Sequence, residues 1–143
     1  MKLFLMTLLL TYGLMASSAL EKAKKLGVEN NYATAIDKAE KEKKLLVLVT
    51  VTENCRWCEK LINNTLSEET VQKVLENYIV LIVDKDDEFP SDFKEAFYPS
   101  IYYIDYSTKK SVYENVGYVG KKCFLNDLRD SLKTRDSLYG DKK

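Results

Sequence analysis

The chain has 143 residues, of which 45% are hydrophobic and 31% are charged, a composition typical of one folded globular domain and not of a disordered protein. Its 22 lysines and arginines balance 22 aspartates and glutamates, which argues against nucleic acid as the main partner, because phosphate binding needs a basic face. A domain of this size buries roughly two thirds of the surface of its unfolded chain, so it needs no disulfide for stability.

The first 19 residues have the pattern of a secretory signal peptide. Lys2 precedes a mostly apolar run over 3–15, and small residues lead to Ala19. This order predicts cleavage after Ala19, which would leave a domain over 20–143 that is soluble in the periplasm or is otherwise exported. An uncleaved membrane anchor is the alternative. It is the less favoured one, because the apolar run is short for a membrane span.

Hydrophobic periodicity and turn signals divide the rest of the chain into helices and strands. In chain order these are a helix over 29–44, a strand over 45–51, a helix over 56–64, a second helix that starts at 65–69, a strand over 78–83, a short helix over 92–97, strands over 100–106 and 111–116, and a helix over 121–135. Strands that helices separate run parallel, whereas the last two can pair as a hairpin. The predicted fold class is α/β, with a central mixed sheet of about four strands and helices on both faces.

One helix start is predicted from capping chemistry. Thr65 and Glu68 have the spacing of a capping box, and Ser67 followed by two acids also suits an N-cap. Either choice starts a new helix between the cysteine motif and the strand over 78–83.

Cys55 and Cys58 stand three positions apart in TENCRWCEK, directly after a predicted buried strand. Haem attachment requires a histidine after the second cysteine, but Glu59 stands there and the chain has no histidine. Structural zinc needs four ligands, and only Cys123 could add a third thiolate. A purely structural disulfide would close a very small loop and gain little chain entropy. Zinc and a static bridge are therefore the alternatives to a redox pair.

The position of the cysteine pair favours redox chemistry. Cys55 is predicted at the N-terminus of a helix, where unpaired backbone N–H groups favour a thiolate, and Arg56 adds a positive charge beside it. Cys58, one turn later, is placed to attack a mixed disulfide formed at Cys55. The pattern therefore predicts Cys55 as the nucleophile, Cys58 as the resolving thiol and Arg56 as the residue that tunes the thiolate. No metal or organic cofactor is needed, because the dithiol is itself the redox group.

At this point the sequence resembles a known family. CRWC after a buried strand, Pro99 before a strand and Gly117 before the last helix together resemble the thioredoxin fold over most of residues 30–135. Within that fold, CEKLINNTLSEETVQKVLENYIVLIVDKD is similar to periplasmic thioredoxin-like domains, including the C-terminal domain of DsbD-type disulfide reductases. The resemblance implies that Pro99 is cis and faces the cysteine pair, where the preceding backbone is open to a substrate peptide. A plain helix stop is the alternative for Pro99.

Two positions depart from the family pattern. Tyr98 stands where threonine or valine is frequent, so its bulk is expected to influence which substrates dock. Val49 stands six residues ahead of the first cysteine, where thioredoxins carry a buried acid that helps to remove the proton of the second cysteine. Glu53 and Glu59 are the nearby substitutes, although each has the pattern of a surface charge. The proton acceptor for Cys58 is therefore left open.

Three further features have two interpretations each. Trp57, between the cysteines, is either a docking surface for substrate or a cover for the pair. Cys123 is expected to be a free, semi-buried thiol, with an intermolecular disulfide as the alternative. Tyrosines cluster around the last two strands and are expected to supply bulk on the sheet, with a binding face as the alternative; they are Tyr102, Tyr103, Tyr106, Tyr113 and Tyr118.

Together these patterns predict an exported thiol–disulfide oxidoreductase, and the resemblance to the DsbD-type domain implies that it reduces disulfides in periplasmic proteins. A membrane-bound or other thiol redox protein would supply its electrons. An oxidant or isomerase stays open, because the reduction potential depends on small differences in thiolate stability. A non-catalytic binding module or chaperone, with Cys55–Cys58 as a structural disulfide, is the alternative from another class.

Overall fold

The computed structural model describes residues 18–140. In chain order its elements are α1 (Ser18–Leu26), α2 (Tyr32–Glu42), β1 (Leu46–Val51), α3 (Arg56–Leu61), a π-helical turn (Ile62–Leu66), α4 (Glu69–Leu75), β2 (Ile79–Asp84), a 3₁₀ turn (Ser91–Phe93), β3 (Ser100–Ile104), β4 (Ser111–Val116) and α5 (Lys121–Tyr139). Between residues 18 and 140, no helix combines the length and the apolar character that crossing a membrane requires.

The strands form one mixed sheet in the order β2-β1-β3-β4. β1 runs parallel to β2, with Leu46 opposite Ile79, and antiparallel to β3, with Leu46 opposite Ile104. β4 runs antiparallel to β3. The predicted α/β class with a mixed sheet is therefore confirmed. Cys55 follows the carboxyl end of β1, which lies between the carboxyl end of β2 and the amino end of β3.

Helices cover both faces of the sheet, and every residue of β1 and β2 is buried. One core contains Cys58 together with apolar residues of α1, α3, α4 and α5. The other core lies on the opposite face and contains the buried alanines of α2 and Phe93 of the 3₁₀ turn. Successive residues of β1 enter alternate cores, which explains why this strand is an unbroken apolar run and not an alternating one.

Helix α1 is an addition to the predicted elements, because the sequence pattern assigns its first residues to a signal peptide. Ala19 and Ala23 are buried in the core that contains Cys58. The helix is closed by Val28, whose N–H donates to the carbonyl of Ala23 at 3.0 Å. The rest of the predicted signal peptide, residues 1–17, lies outside the described residues. Cleavage after Ala19 would remove two residues of this helix, one of them fully buried.

The capping prediction at Thr65 is wrong. The Thr65 hydroxyl donates to the carbonyl of Val119 at 2.7 Å, and the Ser67 hydroxyl donates to the carbonyl of Ile62 at 2.7 Å. The N-cap of α4 is Glu68, which makes no side-chain cap bond. The motif helix continues through the π-helical turn and buries Thr65, so this hydroxyl serves a distant loop and not the helix that follows.

Other boundaries differ for local reasons. β3 ends at Ile104, because the Asp105 carboxylate accepts hydrogen bonds from the backbone N–H groups of Ser107 and Thr108 and turns the chain. The predicted short helix after β2 is only the 3₁₀ turn. The last helix continues to Tyr139, beyond the end that the apolar periodicity marks.

Candidate redox site

The cysteine pair lies where β1 leaves the sheet and α3 begins. Asn54 turns the chain with a φ of 53°, in the left-handed region that asparagine tolerates better than most residues. Cys55 is extended and forms the N-cap of α3, and its Sγ accepts the N–H of Cys58 at 3.1 Å. The two cysteines are joined as a disulfide. The predicted placement of Cys55 at a helix N-terminus is thus confirmed.

The two sulfur-bearing residues differ in burial. Cys58 is fully buried and packs with Leu61 and Ile62 in the core, whereas Cys55 is half-buried. Cys55 also lines an open cavity of about 640 Å³. The other residues of this cavity are Ser18, Glu21, Glu53, Asn54, Arg56 and Glu59. An incoming thiol or disulfide can therefore approach Cys55, while Cys58 is reached only through its partner.

Pro99 lies at the amino end of β3, beside the carboxyl end of β1. The Tyr98–Pro99 peptide bond is cis, the isomer that the resemblance implies. Pro99 is buried, and its carbonyl accepts the N–H of Gly117 at 2.7 Å. Gly117 has a φ of 91°, a conformation that glycine adopts without the steric cost of a Cβ. Tyr98 is half-buried against the core that contains Cys58, and Phe97 before it is 67% exposed.

Trp57 is 47% exposed and belongs to a cluster of aromatic and cationic side chains. Its ring centroid lies 6.0 Å from that of Tyr118. The Lys60 Nζ lies 5.0 Å from the Trp57 centroid and 4.6 Å from the Tyr118 centroid, and the Arg56 Cζ lies 5.5 Å from the Trp57 centroid. These are distances at which cations are attracted to aromatic faces. We call these four residues the cationic ridge.

The loop that carries Tyr118 is tied to the motif segment by a buried hydrogen bond. Thr65, at the end of the π-helical turn, donates to the carbonyl of Val119. The bond spans 54 positions in the chain and fixes the loop beside Trp57. Sequence reasoning missed this role of Thr65, and no local pattern signals it, because its partner is a backbone carbonyl in a distant loop.

Neither Glu53 nor Glu59 takes the place of the buried acid that the family carries on the strand before the motif. Val49 is fully buried in β1. Glu53 is exposed, and Glu59, with a side chain 57% exposed, forms an ion pair with Lys22, whose side chain is only 9% exposed. Lys22 also donates to Ser18 in α1. The structure therefore adds a buried lysine beneath the motif helix, which sequence reasoning missed because α1 was not predicted.

Cys123 is a free cysteine and is exposed, so the prediction of a semi-buried thiol is wrong. Phe124 and Leu128 take the buried positions of α5, which turns the neighbouring Cys123 towards solvent. Leu132, further along the helix, is 36% exposed. Across residues 18–140, no three or more Cys, Asp or Glu side chains are grouped as a metal ion would require.

The tyrosines divide into two groups. Tyr102 and Tyr103 are buried in β3, on opposite faces of the sheet, and burial raises the pKa of Tyr102 to about 12. For these two, the prediction of bulk on the sheet is confirmed. Tyr106 and Tyr113 lie near α5, through contacts with Arg135 and Asp127 respectively, and Tyr118 belongs to the cationic ridge.

Cys55 is half-exposed and is bonded to the buried Cys58, and the pair lies at the start of the helix that follows a central strand. This arrangement places the chain among proteins of thioredoxin fold with a CxxC disulfide. A family model described as thioredoxin-like matches residues 28–105, more than half of the chain. The chain belongs to the thioredoxin-like family. No curated protein sequence matches it significantly.

Solved structures agree on the fold. A thioredoxin from Thermus thermophilus superposes with a TM-score of 0.68 at 19% identity, over 80% of this chain and 95% of that one. The oxidised C-terminal domain of DsbD from Neisseria meningitidis gives a TM-score of 0.59 at 17% identity, over 73% and 98%. The reduced periplasmic thioredoxin SoxS from Paracoccus pantotrophus gives 0.53 at 15% identity, over 64% and 98%.

Proposed function

We propose that the protein is a thiol–disulfide oxidoreductase that reduces disulfides in exported proteins. The observation that carries this proposal is the asymmetry of the pair. Cys55 is half-exposed beside an open cavity, Cys58 is buried beneath it, and the Cys58 N–H donates to the Cys55 sulfur. A bridge that served only to strengthen the fold would not need one sulfur at a solvent cavity.

The chemistry proceeds in two exchanges. The Cys55 thiolate attacks one sulfur of a substrate disulfide; a mixed disulfide forms, and the other substrate sulfur leaves as a thiolate that takes up a proton. Cys58 then loses its proton and attacks the Cys55 sulfur, which releases the second substrate thiol and closes Cys55–Cys58. Two electrons and two protons pass to the substrate. The Cys58 N–H is placed to donate to the Cys55 thiolate in the reduced state, and Arg56 adds a nearby positive charge.

Surrounding residues are proposed to hold the substrate. Pro99 has no N–H, and its carbonyl already accepts the N–H of Gly117, so Pro99 itself offers no backbone group to a substrate. The backbone of Tyr98, the residue before it, is proposed to pair with the substrate peptide. Tyr98 and exposed Trp57 would flank that peptide. The resemblance of residues 58–86 to the C-terminal domain of DsbD-type disulfide reductases favours the reducing direction, with a membrane-bound or other thiol redox protein restoring the dithiol.

Turnover by cysteine variants tests the proposal. We expect the full chain, kept reduced by a thiol system, to reduce a model protein disulfide, and Cys55→Ser to lose at least about a hundredfold of that rate, since Cys58 is not accessible. Cys58→Ser should accumulate a mixed disulfide with the substrate, visible by mass. Cys123→Ser is the matched control and should keep the wild-type rate. Undiminished turnover in Cys55→Ser would remove the proposal in favour of a structural bridge.

Export is part of the proposal and rests on the pattern of residues 1–19. Ser18 and Ala19 lie in α1, and Ala19 is buried, so the site of cleavage affects the fold. The mass of the exported protein tests both points. A mass that starts at Leu20 would confirm the predicted site; full-length protein in the cytosol would refute export.

A further inference from the structure

The two cations of the cationic ridge have no carboxylate partner within the described part of the chain. Both cations lie over aromatic rings of the ridge, and Arg56 also lines the cavity beside Cys55. Most other cations near the site are paired: Lys22 binds Glu59, and Lys121 binds Glu68. Arg56 and Lys60 also stand four positions apart on α3, the spacing at which like charges repel. Within residues 18–140, α3 therefore holds two neighbouring cations that form no ion pair and lie over aromatic faces.

This unpaired charge lies beside the reactive disulfide. Arg56 and Trp57 are the two residues between the cysteines, and Tyr118 is fixed against Trp57 by the loop that Thr65 anchors. Any peptide bonded to Cys55 must pass close to these side chains. Exposed aromatics and arginines are the residue types that most often anchor interfaces.

The cavity beside Cys55 has a more acidic lining than the ridge. The cavity is lined by three glutamates and by Arg56 of the ridge, and Glu59 is paired with Lys22. Glu21 and Glu53 are exposed and contribute negative charge at the same wall. Beyond Arg56, the cavity therefore carries unpaired negative charge, whereas the ridge carries unpaired positive charge. Such a gradient orients a charged partner as it approaches.

We propose that the cationic ridge recognises disulfide substrates in which an aspartate or glutamate flanks the reacting cysteine on one side. The acidic flank lies along Arg56, Trp57 and Lys60, and the other flank, neutral or basic, lies at the cavity. This assignment rests on the proposed function, because it concerns the same cysteine pair. It names a substrate class by its charge and assigns Lys60 and Tyr118 to the binding surface.

The experiment uses synthetic peptides whose single cysteine is blocked as a 2-pyridyl disulfide. When the Cys55 thiolate of the reduced full chain attacks the peptide sulfur, pyridine-2-thione leaves and its absorbance gives the rate; Cys58 then releases the peptide thiol. The peptides carry two aspartates before the cysteine, two aspartates after it, or lysines at the same positions. The readout is the ratio of second-order rate constants for the better aspartate peptide and its lysine counterpart.

We expect a ratio of about ten at low salt, which falls as salt is added. Arg56→Gln with Lys60→Gln should bring the ratio close to one. Any change in the reactivity of the Cys55 thiolate affects both peptides equally and therefore leaves the ratio unchanged. The matched control is Lys43→Gln with Lys110→Gln. These two exposed lysines precede β1 and β4, at the ends of the strands that lie away from the cysteine pair. Their replacement removes the same net charge, so the ratio should be retained.

The outcomes separate the two proposals. A wild-type ratio of one, a preference for lysine peptides, or a ratio that survives the Arg56 and Lys60 substitutions would overturn the assignment of the ridge. Release of pyridine-2-thione no faster than by free glutathione, with every peptide, would instead overturn the proposed function.

Discussion

Replacing Asp105 by asparagine tests a buried ion pair between the end of β3 and α5. The Asp105 side chain is fully buried, and its Oδ1 accepts the Nε–H of Arg135 at 2.8 Å. Its Oδ2 accepts the hydroxyl of Ser107 at 2.6 Å and the N–H of Thr108 at 2.7 Å. Burial alone would raise the pKa of this carboxyl, but the hydrogen bonds from Arg135, Ser107 and Thr108 outweigh burial and lower the pKa to about 2.

The size of the effect follows from linkage. The pKa of Asp105 falls from 3.8 to about 2, and each unit corresponds to about 1.4 kcal/mol, so ionisation of Asp105 contributes roughly 2 to 3 kcal/mol to the free energy of unfolding. Because the folded-state pKa is the lower one, this contribution is present above about pH 4 and is lost as the pH falls through about 2. Asparagine cannot carry the charge, and it leaves Arg135 without its buried partner.

Urea unfolding of the oxidised protein from pH 7 to pH 2 measures this dependence, with Trp57 fluorescence as the probe. Asp105→Asn should lower the free energy of unfolding by about 2 to 3 kcal/mol at pH 7, and the deficit should shrink towards pH 2. Asp136→Asn is the matched control: it contacts the same Arg135 but its side chain is 68% exposed, so a change below about 0.5 kcal/mol is expected. Equal stability of Asp105→Asn and wild type at pH 7, or a deficit that does not change with pH, would refute the reasoning.

Three further predictions concern the surroundings of the cysteine pair and use the same unfolding assay. Thr65→Val should cost about 1 to 3 kcal/mol, because the buried Val119 carbonyl loses its donor, while Thr65→Ser keeps a hydroxyl and should cost less; equal costs would contradict the role of the hydrogen bond. Glu59→Gln should lower the free energy of unfolding more than Lys22→Met does, because the first change leaves a buried ammonium without a carboxylate partner and the second leaves only an exposed carboxylate. The reverse order would show that the buried Lys22 ammonium does not need Glu59 for its stability. Gly117→Ala should cost about 1 to 2 kcal/mol through its positive φ alone, since nothing lies within 4 Å of an added Cβ, and an unchanged stability would show that the loop relaxes.

The sequence predicted those parts of the molecule in which local chemistry decides the structure. β1 and β2 are recognisable because a strand covered on both faces must be apolar at every position. Cys55 and Cys58 are recognisable by their spacing and by their position after such a strand. Local reasoning failed where a side chain could bond either to a neighbouring or to a distant residue. Thr65 has the spacing of a helix cap, but its hydroxyl donates to the carbonyl of Val119, 54 positions away.

The sequence by itself therefore determined the fold class and the cysteine pair, and it predicts the order in which the two sulfurs act. Only the tertiary structure decided what surrounds the pair. The ion pair between Lys22 and Glu59 and the contact between Trp57 and Tyr118 join segments far apart in the chain. The physical reason is that periodicity and capping report on interactions within a few residues, whereas these contacts exist only once the sheet has brought distant segments to the same edge.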